Sequence, residues 1–288
     1  MPDPLKVLAT VRKATDLTRR TPGRSGSVVR LDNADEVMVV GDLHGNLRAF
    51  RWALAESALD RHPGRHLVLQ ELVHEINKSR EDRPDLSHRL VDLVSALKCQ
   101  HPERVHLILG NHELSELTGR VIGKDGRALN ALFRQGIETS YGPMAGDVYQ
   151  AYLGFFASLP IAVRTSNRVF ICHTIPDGYD LDRVELDVLD AETWPPESMK
   201  RGGTVYAMTW GRDTSTETVD RFAEMVDADL FVTGHQPCDE GFRQANHRQL
   251  IIDGTDPYPA YCRFPARDPV SIDALVDSVR VLDLEPSE

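Results

Sequence analysis

Six short apolar runs punctuate the chain: EVMVVGD (36–42), HLVLQE (66–71), RVHLILGNH (104–112), RVFICHT (168–174), DLFVTGH (229–235) and QLIIDGT (249–255). Their length and their β-branched content predict strands. Between them lie longer stretches with helical spacing of apolar positions, at 46–59, 87–100, 147–159 and 218–228. Residues 5–19 also fit a short helix, which the Pro and Gly of TPGRSGS then break. Strands alternating with helices predict an α/β sheet covered by helices on its faces. No internal repeat is visible, and no linker is long enough to demand a domain split. The pattern therefore predicts one catalytic domain over residues 34–265, with an amino-terminal extension at 1–33 and a loosely attached acidic tail at 266–288.

What ends those strands changes the picture from architecture to chemistry. Asp42 and His44 follow the first run and Glu71 ends the second. Asn111 and His112 end the third, His173 the fourth and His235 the fifth. A single histidine at a strand end is more commonly a hydrogen-bonded structural residue than a ligand. GNH and TGHQP could each be turns, since Asn, Gly and occasionally His tolerate left-handed backbone. Five consecutive strands ending in His, Asp, Glu or Asn are a different matter, because in open α/β sheets ligands bind at that edge. Two divalent ions sharing one carboxylate need such a donor set.

Composition narrows the partners. The 288-residue chain carries a net charge of −11, which argues against sequence-independent binding to DNA or RNA and predicts no nucleic-acid polymer as partner. The amino terminus lacks the apolar core of a signal peptide, and no run approaches a membrane span. Cys99, Cys172, Cys238 and Cys262 are scattered, with no paired spacing. They read as free thiols in a reducing compartment, so a cytoplasmic protein is expected.

The motifs themselves resemble those of the calcineurin-like metallophosphoesterases, and within them the phosphoprotein phosphatase (serine/threonine phosphatase-like) branch. GDLHGN (41–46) is similar to that family's GDxHGN block and LGNHE (109–113) to its GNHE block. The stretch 155–178 is similar to the segment in which an LP-containing helix end leads to a ligand histidine, and 232–250 resembles the GHQ block. PAYCRF (259–264) resembles a Tyr-Cys loop that overhangs the site. The likeness runs in the family's order from about residue 36 to 264. It implies an α/β fold of the metallophosphoesterase type, a two-sheet β-sandwich flanked by helices in four layers, α/β/β/α. It also implies two divalent metal ions, manganese foremost, with iron, zinc, magnesium or nickel as alternatives. Asp42 and His44 would hold the first, and Asn111, His173 and His235 the second. His112 would protonate the departing oxygen once a metal-activated water attacks phosphorus.

Two departures stand out. The family's second block, GDxVDRG, is replaced by LQELVHEINKSREDRPD, so Glu71 stands where the bridging Asp belongs, with Glu75 and Asp82 as fallback carboxylates. The family's phosphate-gripping Arg beside GNHE is Leu109 here, leaving Arg83 and Arg212 as the first phosphate-binding candidates and Arg127 and Arg134 behind them. His112 would need a carboxylate partner, for which Asp82, Glu75 and Glu113 are available. The implied reaction removes phosphate from a phosphomonoester, on a protein or a small molecule. The alternatives are a dinucleoside polyphosphate or nucleotide hydrolase, towards which Trp210–Gly211–Arg212 leans, and a module that binds phosphorylated ligands without turnover.

Overall fold

The structure, a computed structural model, describes residues 3–76, 84–124 and 126–282. Two mixed sheets form its centre. The five-stranded sheet runs in the order Val279–Val281, Ala260–Pro265, Glu36–Val40, Arg65–Gln70, Val105–Ile108, and the last three of these strands are parallel. The seven-stranded sheet places Val169–Cys172, Leu230–Thr233 and Gln249–Ile252 side by side and parallel. It is extended on one edge by Ala162–Thr165, Val28–Leu31 and Arg24–Ser25, and on the other by Phe242–Gln244.

The apolar runs are continuous because both faces of each sheet are covered. Val37, Val39 and Val68 from one sheet and Val169, Ile171 and Val232 from the other belong to one core, between the sheets. The alternate residues Met38, Val40, Leu67 and Leu69, like Phe170, Cys172 and Phe231, belong to a second core with the helices. Period-two alternation thus splits each strand between sheet–sheet and sheet–helix packing, giving the four layers that the resemblance implies.

The ends of the chain are more tightly built in than an extension and a tail. Asp3 caps the helix Pro4–Arg19, accepting from the Leu5 N–H at 3.0 Å. That helix buries Val7, Leu8, Val11 and Ala14 against the helices His88–Gln100 and Ala145–Phe156. Val28–Leu31 pairs in parallel with Ala162–Thr165, and Val279–Val281 pairs antiparallel with Ala260–Pro265. Within residues 266–282 Leu275 is fully buried, and the short helix Ile272–Asp277 packs against the strands Ala260–Pro265 and Gln249–Ile252. All four cysteines are free thiols, and no helix among the described residues is long and apolar enough to cross a membrane.

One buried residue ties this packing to pH. His88 is fully buried at the start of its helix, edge-on to Tyr141, and neither ring nitrogen has a hydrogen-bond partner among the described residues. Burial, aided by the Arg89 charge, lowers its pKa from 6.5 to about 4. Above pH 6.5 the ring is neutral whether folded or unfolded and contributes no pH dependence. Between 6.5 and about 4 the unfolded chain takes up a proton that the folded one refuses, so the fold loses up to about 3 kcal/mol as pH drops. Urea denaturation of chelator-treated protein at pH 7 and pH 4.5 should show this loss, and His88→Leu should reduce it.

Candidate metal centre

The parallel strands of both sheets deliver their carboxyl ends to one edge, and there the chain bends sharply. His44, Glu71, His74 and His235 all have left-handed backbone, with φ of 41°, 44°, 67° and 67°. Such conformations are costly for non-glycine residues and tend to gather at functional sites. Two glycines permit the close approach of the sheets. A Cβ on Gly41 would lie 2.3 Å from backbone atoms of Asp253 and Gly254, and one on Gly234 would lie 2.3 Å from Asp42 Oδ1. Asn46, at the end of the GDLHGN block, serves the backbone instead. Its side-chain oxygen caps the helix Leu47–Ser57 by accepting from the Ala49 N–H at 3.0 Å.

Glu71 sits at the middle of the cluster. Its Oε2 lies 3.2 Å from His44 Nε2, and its Oε1 lies 3.5 Å from His173 Nε2 while accepting the His112 N–H at 2.9 Å. Two donor groups share it. Ligand atoms of His44, Glu71 and His112 lie within 4.8 Å of one another, and so do those of Glu71, His173 and His235. Asn111 Oδ1 stands 3.0 Å from His173 Nε2. Asp42 accepts the His235 N–H on Oδ2 at 2.7 Å and turns Oδ1 towards His173 Nδ1, 3.7 Å away. All six sequence-named metal candidates thus meet in one place, and Glu75 contributes to neither donor group.

The electrostatics of the cluster are those of a site short of positive charge. Burial, Glu71 and Asp253 push the Asp42 carboxyl well above its usual range. Burial also acts on Glu71, but His173, His112 and His44 outweigh it and hold that carboxyl well below. Glu113 is raised to about 7 by burial and by Glu71. Burial pulls His112, His173 and His235 down; at His44 burial acts likewise, but Glu71 more than offsets it and raises the ring. Asp42 Oδ1 and His235 Nε2 are buried without a hydrogen-bond partner among the described residues. An unpaired acceptor and an unpaired imidazole nitrogen facing carboxylates and neutral imidazoles form a donor set that fits divalent cations.

Surrounding residues hold this set in place, and several carry no motif of their own. Gln70 presents Oε1 to His173 Nδ1 at 3.3 Å and donates through Nε2 to the Val40 carbonyl at 3.2 Å, replacing the glycine of the family block. Glu113 accepts from the N–H groups of Leu72 and Val73 at 2.8 and 3.2 Å, so it anchors the loop after Glu71 and does not pair with His112. The ring of His112 is met instead by His74, Nδ1 to Nδ1 at 2.9 Å. Asp253, at the end of the sixth strand, takes the N–H groups of Cys238 and Thr255 and faces the same cleft.

The phosphate-binding candidates fare unevenly. Arg83, with Asp82, lies outside the described residues. Arg212 is exposed, and its charge helps depress His173 and His235. Arg134 is engaged with Tyr149, donating to its hydroxyl at 2.9 Å. Three arginines unnamed by any block, Arg48, Arg51 and Arg89, line a cleft of about 880 Å³ together with Asp42, His44 and His235.

The sequence profile of calcineurin-like phosphoesterases matches residues 36–239, which includes every donor above. The chain belongs to the calcineurin-like phosphoesterase family. A probable serine/threonine-protein phosphatase of Encephalitozoon cuniculi is 27% identical over 237 residues, covering 75% of this chain and 46% of the relative. The serine/threonine-protein phosphatase 4 catalytic subunit of Saccharomyces cerevisiae is 23% identical over 286 residues, 89% of this chain and 83% of the relative. The chain spans less than half the length of the Encephalitozoon relative and of phosphatase 5 from Arabidopsis thaliana, at 46% and 42%. Among solved structures, a protein serine/threonine phosphatase from Saccharomyces cerevisiae superposes with a TM-score of 0.72 at 15% identity, over all of this chain and 92% of that one. The shared calcineurin-like phosphoesterase fold explains why the strand ends converge.

Proposed function

We propose that the chain is a phosphoester hydrolase that binds two divalent cations between its donor groups and removes phosphate from a phosphomonoester. The single observation that carries this reading is Glu71: one buried carboxylate contributes an oxygen to both donor groups. A shared ligand is what a pair of cations needs, and a site decayed to mere binding has no reason to keep it beside His112. Relatives named as serine/threonine phosphatases support a phosphorylated protein as substrate class.

His44, with Asp42, would hold one cation, while Asn111, His173 and His235 would hold the other. Bound there, the cations would supply positive charge to the phosphoryl oxygens and lower the pKa of water. The protein's own groups do the rest. His112 lies beside the shared carboxylate, its backbone N–H fixed on Glu71 Oε1, and its ring gives a proton to the departing oxygen. Arg212 adds charge that acts on His173 and His235, and a planar guanidinium can grip two phosphate oxygens.

The test is the initial rate of p-nitrophenyl phosphate hydrolysis by chelator-stripped protein titrated with Mn²⁺. Turnover that rises with added metal and saturates is the expected result. No turnover with Mn²⁺, Fe²⁺, Zn²⁺, Mg²⁺ or Ni²⁺ would overturn the reading.

A further inference from the structure

Behind His112 a run of buried hydrogen bonds leads away from the metal ligands. His74 is fully buried, with Nδ1 2.9 Å from His112 Nδ1 and Nε2 2.9 Å from Glu116 Oε1. Glu116 is itself buried and is surrounded by donors. Asn130 gives it Nδ2–H at 2.6 Å, and the orientation of that amide is set because its oxygen accepts from the Ile122 N–H at 2.9 Å. Tyr149 meets Oε2 at 2.7 Å, and since Arg134 can only donate to the Tyr149 oxygen, the tyrosine proton goes to Glu116. Asn130 and Tyr149 thus donate to the two oxygens of Glu116, which makes the carboxyl an acceptor in this network.

That count fixes the protons on both imidazoles. With Glu116 accepting, a neutral His74 ring carries its one proton on Nε2 and presents a bare Nδ1. Of two Nδ1 atoms 2.9 Å apart one must donate, so His112 carries the proton on Nδ1. We propose that Glu116 and His74 act as positioning residues for His112, a carboxylate–imidazole pair that fixes the ring's orientation and its Nδ1 proton and leaves Nε2 for the departing oxygen. To act as the acid His112 first takes a second proton, on Nε2, from solvent. When it protonates that oxygen the Nε2–H bond breaks, an O–H bond forms and the ring returns to the neutral form whose Nδ1–H still meets His74. Of the carboxylates expected beside His112, Glu113 is engaged with the Leu72 and Val73 N–H groups and Asp82 lies outside the described residues, while the His74–Glu116 pair is the one that meets Nδ1. The backbone supports the role. Glu116 lies four residues after His112 on the same helix, hence on the same face. His74 is held at φ 67° by the Ser87 hydroxyl oxygen, which accepts its N–H at 2.9 Å, and its ring stands edge-on to Phe133.

The inference rests on the hydrolase reading, and the test separates the two. In the metal-free protein, ¹⁵N NMR of the imidazoles should show His112 protonated on Nδ1 and His74 on Nε2, and Glu116→Gln should disturb the His74 pattern. His112 protonated on Nε2 alone would overturn the proposal whether or not the protein is a hydrolase. In the Mn²⁺-loaded enzyme, Glu116→Gln and His74→Asn, the latter chosen because Asn tolerates positive φ, should lower kcat for phenyl phosphate about 10–100-fold. The rate with 2,4-dinitrophenyl phosphate, whose leaving group needs no proton, should fall far less, with KM and bound Mn²⁺ unchanged. Equal losses on both substrates, or none on either, would overturn the positioning role. Absence of turnover in the unmodified protein would sink the hydrolase reading alone and leave the NMR result to decide the relay.

Discussion

Glu71→Ala is expected to lose bound metal and turnover together. The carboxylate stands 3.2 Å from His44 Nε2 and 3.5 Å from His173 Nε2, and among the described residues no other side chain contributes to both donor groups. Changing a residue that merely supports a metal ligand typically costs 10–100-fold in affinity or activity, so loss of the shared ligand should exceed about 100-fold. A thermal readout is independent of catalysis. Mn²⁺ at 100 times its dissociation constant should stabilise the unmodified protein by about 2.7 kcal/mol, and the resulting shift in Tm should vanish in Glu71→Ala. Glu71→Asp keeps a carboxylate, tolerates the positive φ and restores the residue usual in the family, so partial recovery of both signals is expected. Full metal occupancy in Glu71→Ala, measured by elemental analysis after dialysis, would remove Glu71 as a ligand.

The candidate site is legible in the sequence wherever a donor sits immediately after an apolar run. Asp42, Glu71, Asn111, His173 and His235 can be named because a parallel strand ends where its apolar run ends, and the edge of the sheet is then fixed. Asp253 obeys the same rule after Ile252, although no family motif marks it. His74 and Glu116 carry weaker signals. His74 lies in a loop whose path depends on Glu113 tying down the Leu72 and Val73 amides, a contact about 40 residues distant in sequence. Glu116 does have a local sign, its four-residue offset from His112, but a helix must be placed at Asn111–Thr118 before that offset means anything. Arg48 and Arg51 face the cleft only because Asn46 caps a helix that turns them there.

The fold shows the same division. The long apolar runs are strands to within four residues at each end, because burial on both faces leaves no other way to pair their backbones. Of the strands that the apolar pattern misses, Ala260–Pro265 is six residues long and pairs with Glu36–Val40 inside its sheet, so PAYCRF is a strand and not an overhanging loop. Val28–Leu31 and Val279–Val281, by contrast, are short and lie towards sheet edges. Their pairing is decided by the partner rather than by their own pattern. The helix at 4–19 is visible from its spacing, but its docking against His88–Gln100 and Ala145–Phe156 is a tertiary fact that amphipathicity cannot specify.

His112→Asn is expected to divide substrates by leaving group. The backbone N–H that anchors Glu71 Oε1 survives the substitution, so the donor groups should keep their arrangement while the ring and its proton are lost. A positioned acid contributes roughly 10²–10⁴-fold when the departing oxygen is strongly basic, and much less when it is not. Phenyl phosphate hydrolysis should therefore slow by that range, p-nitrophenyl phosphate by markedly less, with Mn²⁺ content unchanged. The competing role is visible in the same geometry, because His112 also lies within ligand distance of His44 and Glu71. If it is a metal donor, the variant loses Mn²⁺ and both substrates slow equally, whatever their leaving groups. Two observations favour the acid: its Nδ1 is occupied by His74, and its backbone rather than its ring contacts Glu71 at 2.9 Å. A ring tethered from behind by an imidazole and a carboxylate is built to hold a proton in a fixed direction, and the leaving-group comparison measures whether that direction is the substrate's.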